Sequence, residues 1–227
     1  MDKIFVLWLY KNMTGKPFIL IIVGVAVVAA VAVYVGLGAG GGSDGTTAGL
    51  IDAVGATDHV KGNPAAKVVL IEYSDFQCPA CGAYYPLVRK LADDYANDIA
   101  FVYRHFPLQQ HPNAIPAARA AEAAALQGKF WEMHNTLFEH QEIWAEAANP
   151  TDMFMGYARE LGLAEEQFRR DYEADAGSDR AKSDFQSGLR AGVNATPTFY
   201  LNGKRIESPR SYDAFKAVLD EAIAQNR

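Results

Sequence analysis

Cysteine is nearly absent from this chain, because its 227 residues contain only two, Cys78 and Cys81. Two thiols this close in sequence cannot close a long loop, and they cannot by themselves fill the four positions of a structural zinc site. Basic residues are also in the minority, with 21 Lys and Arg against 27 Asp and Glu and a net charge of -6. This balance gives no basic face for a phosphate backbone, so no nucleic-acid partner is expected.

Long apolar runs are lacking as well, with one exception near the N-terminus. Residues Phe18 to Leu37 form a stretch of 20 residues without a charge or a proline. At ~1.5 Å of rise per residue this stretch covers the ~30 Å core of a bilayer, which predicts a transmembrane helix. Lys3, Lys11 and Lys16 precede it, so the positive-inside rule places the N-terminus in the cytoplasm. The alternative is a cleaved signal peptide, whose apolar region is usually shorter, at ~7 to 15 residues.

The predicted organisation therefore has four parts. Residues 1–17 are a cytoplasmic segment, 18–37 the transmembrane helix, 38–57 a flexible glycine-rich linker, and 58–227 one domain outside the membrane. No dimerisation domain is evident, which favours a monomer.

Strand and helix patterns alternate at the start of the outer domain. Val68–Tyr73 is a β-branched apolar run typical of a strand buried on both faces, and it leads into the helical spacing of CPACGAYYPLVRKLADDY. Ile99–Phe106 has the pattern of a second strand. A strand, helix, strand order predicts a parallel pair and an α/β fold.

The middle of the domain, at about residues 112–192, has no convincing strand pattern and predicts an all-helical insertion. Pro116, Thr151 and Ser178 are suited to begin its helices. After it, Asn202-Gly203 lies between two short strand patterns, which predicts a hairpin, and Ser211 is suited to cap a last helix.

The sequence Cys78-Pro79-Ala80-Cys81 falls at the predicted helix N-terminus. Unpaired backbone N–H groups there favour a thiolate at the first cysteine, and the second lies one turn away, as thiol–disulfide exchange requires. Half of a zinc site has the same spacing but needs two further ligands.

The histidines offer no sequence pattern that would supply those ligands. His59 and His105 are the nearest, but they lack paired metal-ligand spacing, so no metal site is predicted. His134 and His140 lie in helical segments and are interpreted as surface or boundary residues.

Thr196-Pro197 and Glu72 are the other candidate site residues. Thr196-Pro197 precedes a strand, and either Pro197 only begins that strand or the peptide is cis and exposes the backbone of Thr196 to a substrate. Glu72 interrupts an apolar strand, where it either faces solvent at an edge or is buried with a raised pKa and exchanges protons with Cys81.

Three sequence blocks carry a family resemblance: DHVKGNPAAKVVLIEYSDFQCPACGAYYP, YRHFPL and VNATPTFYLNGKRI. They occur in the right order and resemble the DsbA-like branch of the thioredoxin superfamily in its membrane-anchored form, from about Asp58 to the C-terminus. The resemblance implies a thioredoxin fold with an inserted all-helical domain, preceded by one N-terminal transmembrane helix.

The same resemblance implies roles for individual residues. Cys78 would be the nucleophile, Cys81 the resolving cysteine, Pro197 cis and Glu72 a buried acid. Thr196, Pro79 and Ala80 would contact the substrate. Many strongly oxidising relatives have Pro-His between the cysteines, whereas Ala80 supplies no imidazole.

The function that follows is a thiol–disulfide oxidoreductase that introduces disulfides into secreted or envelope proteins. It needs no cofactor beyond the Cys78–Cys81 disulfide, but a membrane redox partner must reset that disulfide. The alternatives are a membrane-tethered reductant or maturation factor for specific clients, and a chaperone-like peptide-binding module.

Overall fold

The computed structural model describes residues 51–226 of the chain. The cytoplasmic segment, the transmembrane helix and most of the linker that the sequence predicts lie outside these residues. Within residues 51–226, no helix is both long and apolar enough to cross a membrane. The end of the predicted linker contacts the domain, because Asp52 forms an ion pair of 2.5 Å with Arg190 and Ile51 packs against a buried cluster.

A five-stranded sheet forms the centre of the described domain, in the order β1-β3-β2-β4-β5. Its strands are β1 (His59–Gly62), β2 (Val68–Ser74), β3 (Ile99–His105), β4 (Thr198–Leu201) and β5 (Lys204–Ile206). As predicted, β2 and β3 are parallel; the other pairs are antiparallel. β1 is not predicted from sequence, because four residues with two polar side chains give no alternating apolar pattern.

The central strand β2 is covered on both faces, which explains its apolar run. Leu70 packs with the first helix and the last, while Ile71 and Tyr73 pack on the opposite face. Glu72 follows the alternation of Leu70 and so shares its face of the sheet.

Eight helices are described. They are α1 (Pro79–Asp94), α2 (Ala114–Ala125), α3 (Phe130–Glu139), α4 (Gln141–Trp144), α5 (Thr151–Glu160), α6 (Glu165–Glu173), α7 (Ser178–Ala191) and α8 (Tyr212–Gln225). The six helices α2 to α7 lie between β3 and β4, and no strand occurs in that described stretch, as predicted. Helices α3, α4 and α6 are not predicted individually, because their start signals are weak.

The C-terminal hairpin and helix match the prediction closely. Asn202 and Gly203 both have positive φ, at 48° and 80°, which is the backbone that a two-residue hairpin turn requires. Ser211 caps α8 by accepting a hydrogen bond from the backbone N–H of Ala214.

Candidate active site

The two cysteines lie where β2 leads into α1. Cys78 is the N-cap residue of α1, and its carbonyl accepts the backbone N–H of Gly82 at 3.1 Å. Pro79 occupies the first helical position, where the missing N–H removes no helical hydrogen bond. Pro79 and Ala80 are exposed, so the segment between the cysteines faces solvent.

The two sulfurs have unequal environments. Cys78 is 6% exposed and Cys81 is fully buried at 0%, and both are free thiols. The pKa of Cys78 is lowered to about 5, and the largest cause is a hydrogen bond from the Cys81 thiol. Burial raises this pKa, but the Cys81 thiol, the Thr196 side chain and the backbone of Cys81 and Ala80 together outweigh it. Burial raises the pKa of Cys81 well above its usual value, and the charge on Cys78 adds to the rise. Near neutral pH the pair therefore carries one thiolate, on Cys78.

The Thr196-Pro197 segment lies directly against the Cys78 sulfur. The peptide bond between these residues is cis, as the functional interpretation of the sequence predicts. The Cys78 thiol donates to the backbone carbonyl of Thr196 at 3.5 Å. In the described domain, where Cys78 is a thiol, the buried Thr196 hydroxyl has no hydrogen-bond partner. When Cys78 is ionised, this hydroxyl can donate a hydrogen bond to the thiolate, which lowers the Cys78 pKa. The Thr196-Pro197 segment therefore borders the Cys78 sulfur.

Glu72 lies in the middle of β2, paired in register with Tyr103 of β3 and Phe199 of β4. It is 4% exposed, and no cation pairs with it among residues 51–226. Burial raises its pKa to about 7, and the nearby Cys78 charge contributes to the rise. The nearby Ser74 hydroxyl lowers the Glu72 pKa and so offsets part of this rise. Its oxygen nevertheless has no partner within standard hydrogen-bond distance and angle among residues 51–226. The solvent-facing alternative for Glu72 is therefore wrong.

A narrow crevice connects Glu72 with the outside of the domain. Glu72, Lys61, Arg89 and His134 line it, and its water-accessible volume is about 10 Å³. The rest of the lining is mostly apolar, so the space holds at most about one water molecule beside the polar side chains. One water there can carry a proton between the buried carboxyl and solvent.

His134 differs from its sequence interpretation as a surface or boundary residue. It is buried at 6% exposure, among the rings of Phe76, Tyr85, Tyr103 and other aromatic residues. Burial lowers its pKa to about 3, so this imidazole is neutral at physiological pH. The interpretation is wrong because α3, a helix of the insertion, packs its His134 face against the sheet and α1, which buries a position that would face solvent on an isolated helix.

Gln141 on α4 is a site residue that the sequence does not reveal. Its side-chain amide donates to the carbonyls of Phe76 at 2.6 Å and Cys78 at 2.9 Å. The missing side chain of Gly82 makes room for it, because a Cβ there would collide with the Gln141 amide oxygen. The insertion thus holds the turn that presents Cys78. A contact across 63 residues leaves no local sequence signal.

Asp75 fixes the same turn from the side of β3. Its buried carboxylate accepts the backbone N–H groups of Gln77 at 2.8 Å and Leu108 at 2.9 Å, and lies 2.6 Å from Nδ1 of His111. The loop before Cys78 is therefore rigidly held on two sides.

The cysteines are not part of any group that could hold a metal ion in the described domain. There, the one cluster with suitable ligand atoms consists of His59, His105 and Glu122. A pair of thiols of which one is ionised and the other protected is equipped for thiol–disulfide exchange.

Comparisons with known proteins agree with this geometry. A family model described as Thioredoxin matches residues 55–221, about three quarters of the chain. The structure of Wolbachia pipientis α-DsbA1 superposes with a TM-score of 0.67 at 18% identity, over 76% of this chain and 94% of that chain. A thioredoxin-like oxidoreductase from Silicibacter pomeroyi superposes with a TM-score of 0.61 at 28% identity, over 74% of this chain and 93% of that chain.

A curated relative is longer than this chain. The Na⁺/H⁺ antiporter NhaA 3 of Salinispora tropica is 40% identical over 188 residues, which is 81% of this chain but only 28% of the antiporter. The similarity is therefore to a part of that protein.

Proposed function

The chain belongs to the thioredoxin family, and on that premise we propose that it is a thiol–disulfide oxidoreductase that introduces disulfides into thiol-containing proteins. The unequal thiol pair supports this proposal most strongly. Cys78 has a pKa lowered to about 5 and lies against an exposed helix start, whereas Cys81 is buried with a raised pKa.

The reaction begins with the Cys78–Cys81 disulfide. A client thiolate attacks the Cys78 sulfur, the bond to Cys81 breaks, and a mixed disulfide forms between the client and Cys78. Cys81 leaves as a thiolate and takes up one proton. A second client thiolate then attacks the client sulfur of the mixed disulfide, and Cys78 leaves as a thiolate. Two client thiols are oxidised to a disulfide, and the protein disulfide is reduced to a dithiol.

Glu72 exchanges the proton that Cys81 needs. A carboxyl with a pKa of about 7 holds a proton in a substantial fraction of molecules at neutral pH and can give it to the Cys81 thiolate. Their electrostatic coupling supports the assignment, because Glu72 contributes to the raised pKa of Cys81. The crevice beneath Glu72 then restores the proton from solvent.

The client lies along Thr196 and Pro197 and across the exposed Pro79 and Ala80. A cleft of about 430 Å³ borders Pro79 on the side of the insertion and extends this surface.

The low pKa of Cys78 favours oxidation of clients over their reduction. A stabilised thiolate stabilises the reduced protein, so the disulfide form gives up its bond more readily. This stabilisation needs no imidazole at Ala80, because the Cys81 thiol and backbone N–H groups supply the donors. A protein that reduces its clients needs the opposite, a less stabilised thiolate and therefore a less stable reduced form.

The predicted N-terminal helix and its lysines support a location of the domain outside the cytoplasmic membrane. There, clients are secreted or envelope proteins, and a membrane redox partner must accept two electrons from the Cys78 and Cys81 thiols in each cycle.

A client assay tests the proposal. Oxidised full-length protein is mixed with a reduced peptide that contains two cysteines, and disulfide formation in the peptide is followed by mass. We expect stoichiometric oxidation by the unmodified chain and none by Cys78→Ser. The Cys81→Ala variant has no disulfide to transfer and should likewise oxidise none. Failure of the oxidised chain to transfer its disulfide would overturn the proposed activity.

A further inference from the structure

The cluster of His59, His105 and Glu122 lies outside the thiol site and has no role in the proposed exchange reaction. Nε2 of His59 lies 2.6 Å from Oε1 of Glu122, and Nε2 of His105 lies 2.8 Å from the same oxygen. The three residues come from β1, the end of β3 and α2, so the fold unites positions that are far apart in sequence.

Both imidazole rings are held in place by aromatic neighbours. The His59 ring stacks on Phe130 with centroids 3.4 Å apart and planes 6° apart. The His105 ring is enclosed by the edges or faces of Phe76, Tyr103 and Phe130. Packing therefore fixes both rings with Nε2 directed at the carboxylate, as a preorganised ligand set requires.

The Glu122 carboxylate is confined by its neighbours. Gly177 lies against the Glu122 side chain, where an added Cβ would come within 2.7 Å of the Glu122 Cβ. A second buried carboxylate, Asp184, accepts the backbone N–H of His105 at 3.1 Å.

From this geometry we propose that His59, His105 and Glu122 form a binding site for one divalent transition-metal ion, with Zn²⁺ as the best match. Two imidazole nitrogens and one carboxylate oxygen are a ligand set that zinc accepts, with its fourth position open to water. Their ligand atoms all lie within 4.8 Å of one another, near enough for small side-chain movements to bring them around one ion.

The ion requires a small adjustment of the cluster. Tetrahedral zinc with bonds of ~2.05 Å separates its ligand atoms by ~3.3 Å, about half an ångström more than the present hydrogen bonds. Rotation of the Glu122 side chain can supply this separation. Each imidazole must then carry its proton on Nδ1, so that both Nε2 lone pairs face the ion.

A route to the cluster is present. Glu122 lines a cavity of about 420 Å³ between the segment that follows β3 and α7, together with Leu108, Ser178 and Phe185. The two basic side chains in its lining do not block access to the carboxylate: Arg119 is paired with Asp175, and Lys182 donates to Ser178. Bound zinc ties β1 and β3 to α2 and so joins the sheet to the helical insertion.

Zinc titration tests the site in the full-length, detergent-solubilised protein. The protein is freed of metal with a chelator and kept in its disulfide form, so that Cys78 and Cys81 cannot bind the metal. Binding of zinc chloride is then measured by calorimetry. We expect one saturable site, and at least ~100-fold weaker binding in Glu122→Gln and His105→Asn, because loss of a ligand costs no less than the ~10- to 100-fold loss from a ligand's hydrogen-bond partner.

The His140→Asn variant is the matched control, because it removes a histidine outside the cluster and should bind zinc as the unmodified chain does. The absence of saturable binding, or equal binding by all variants, would overturn the proposal. If the cluster variants do not fold, Co²⁺ added to the unmodified disulfide form decides the question. Intense visible bands of tetrahedral cobalt support the site, and their absence overturns it.

Discussion

The domain contains two buried glutamates, Glu72 on β2 and Glu122 on α2, and their surroundings shift the two carboxyl pKa values in opposite directions. Glu72 is 4% exposed on β2 with no cationic partner in the described domain, and burial raises its pKa to about 7. Glu122 is 5% exposed on α2, where two imidazoles lower its pKa to about 2. Similar burial thus accompanies pKa shifts in opposite directions, because the neighbouring groups determine whether the charged carboxylate is stabilised.

In the proposed mechanism, this difference separates a reactive region, which contains Glu72 and the thiols, from a structural one, which contains Glu122. A carboxyl that titrates near neutral pH can exchange protons with the thiols above it, whereas a carboxylate that is always charged can only hold its partners. The same separation applies to the sulfurs, of which one is ionised and one is protonated near neutral pH.

The largest contrast is expected in the rate of disulfide exchange. Glu72→Gln keeps the shape of the side chain and removes the base, so we expect exchange to slow by ~10² or more between pH 6 and 8, at the lower end of general acid–base effects. Glu122→Gln should leave the rate nearly unchanged in molecules that remain folded. Stopped-flow measurement of reduced-peptide oxidation compares the two. Equal rates for the Glu72 variant and the unmodified chain would remove Glu72 from the mechanism.

The stabilities of the same variants should move in opposite directions. The pKa of Glu72 is raised from 4.5 to about 7 in the folded state, so Glu72 destabilises the reduced fold increasingly as pH rises from 4.5 to 7. Above pH 7, the free energy of unfolding of Glu72→Gln should therefore exceed that of the unmodified chain by about 3 kcal/mol. The pKa of Glu122 is lowered from 4.5 to about 2, so its contribution is present above pH 4.5 and lost as pH falls toward 2. Glu122→Gln should therefore lose about 3 kcal/mol at pH 7.

Chemical denaturation of the reduced, metal-free protein at pH 5 and pH 8 measures the pH-dependent effect of Glu72, and it should show the full loss for Glu122→Gln at both pH values. Glu166→Gln on the exposed face of α6 serves as the control and should change stability by less than about 0.5 kcal/mol. A Glu72 variant that is no more stable at pH 8 than at pH 5, relative to the unmodified chain, contradicts the burial argument.

A smaller effect is expected at Gln141, which ties the helical insertion to the turn before Cys78. Gln141→Leu leaves the carbonyls of Phe76 and Cys78 without the amide donor, so we expect a loss of about 1 to 3 kcal/mol and a higher Cys78 pKa as the turn loosens. Gln110→Leu, at an exposed position nearby, controls for the substitution itself. A loss of stability with an unchanged Cys78 titration would make Gln141 a packing residue only.

The parts of the site that sequence predicts are those that local rules determine. A CxxC pair after an apolar strand fixes its own helix start, and Asn202-Gly203 determines its own turn. An acid inside an apolar run is unusual enough to suggest that Glu72 is buried, but sequence alone leaves the solvent-facing alternative open.

The parts that sequence does not predict depend on contacts between distant elements. His59 and Glu122 are 63 residues apart and meet only because β1 pairs with β3 beneath α2. Glu122 lies in an alanine-rich helix with nothing around it to indicate two imidazole partners. The burial of His134 and the hydrogen bonds from Gln141 to Phe76 and Cys78 likewise depend on how the insertion packs against the rest of the domain. No local sequence pattern predicts that packing.

The most direct test of the central claim is the titration of the two thiols in the reduced full-length chain. Thiolate absorbance or the alkylation rate of each cysteine is followed against pH. The unequal pair predicts a titration midpoint near pH 5 at Cys78 and no ionisation of Cys81 below the range of a free thiol. In Cys81→Ala the Cys78 midpoint should be higher, because the variant lacks the donor that lowers the Cys78 pKa most. A Cys78 midpoint near the ~8.5 of a free cysteine, or equal titration of both thiols, would contradict the account.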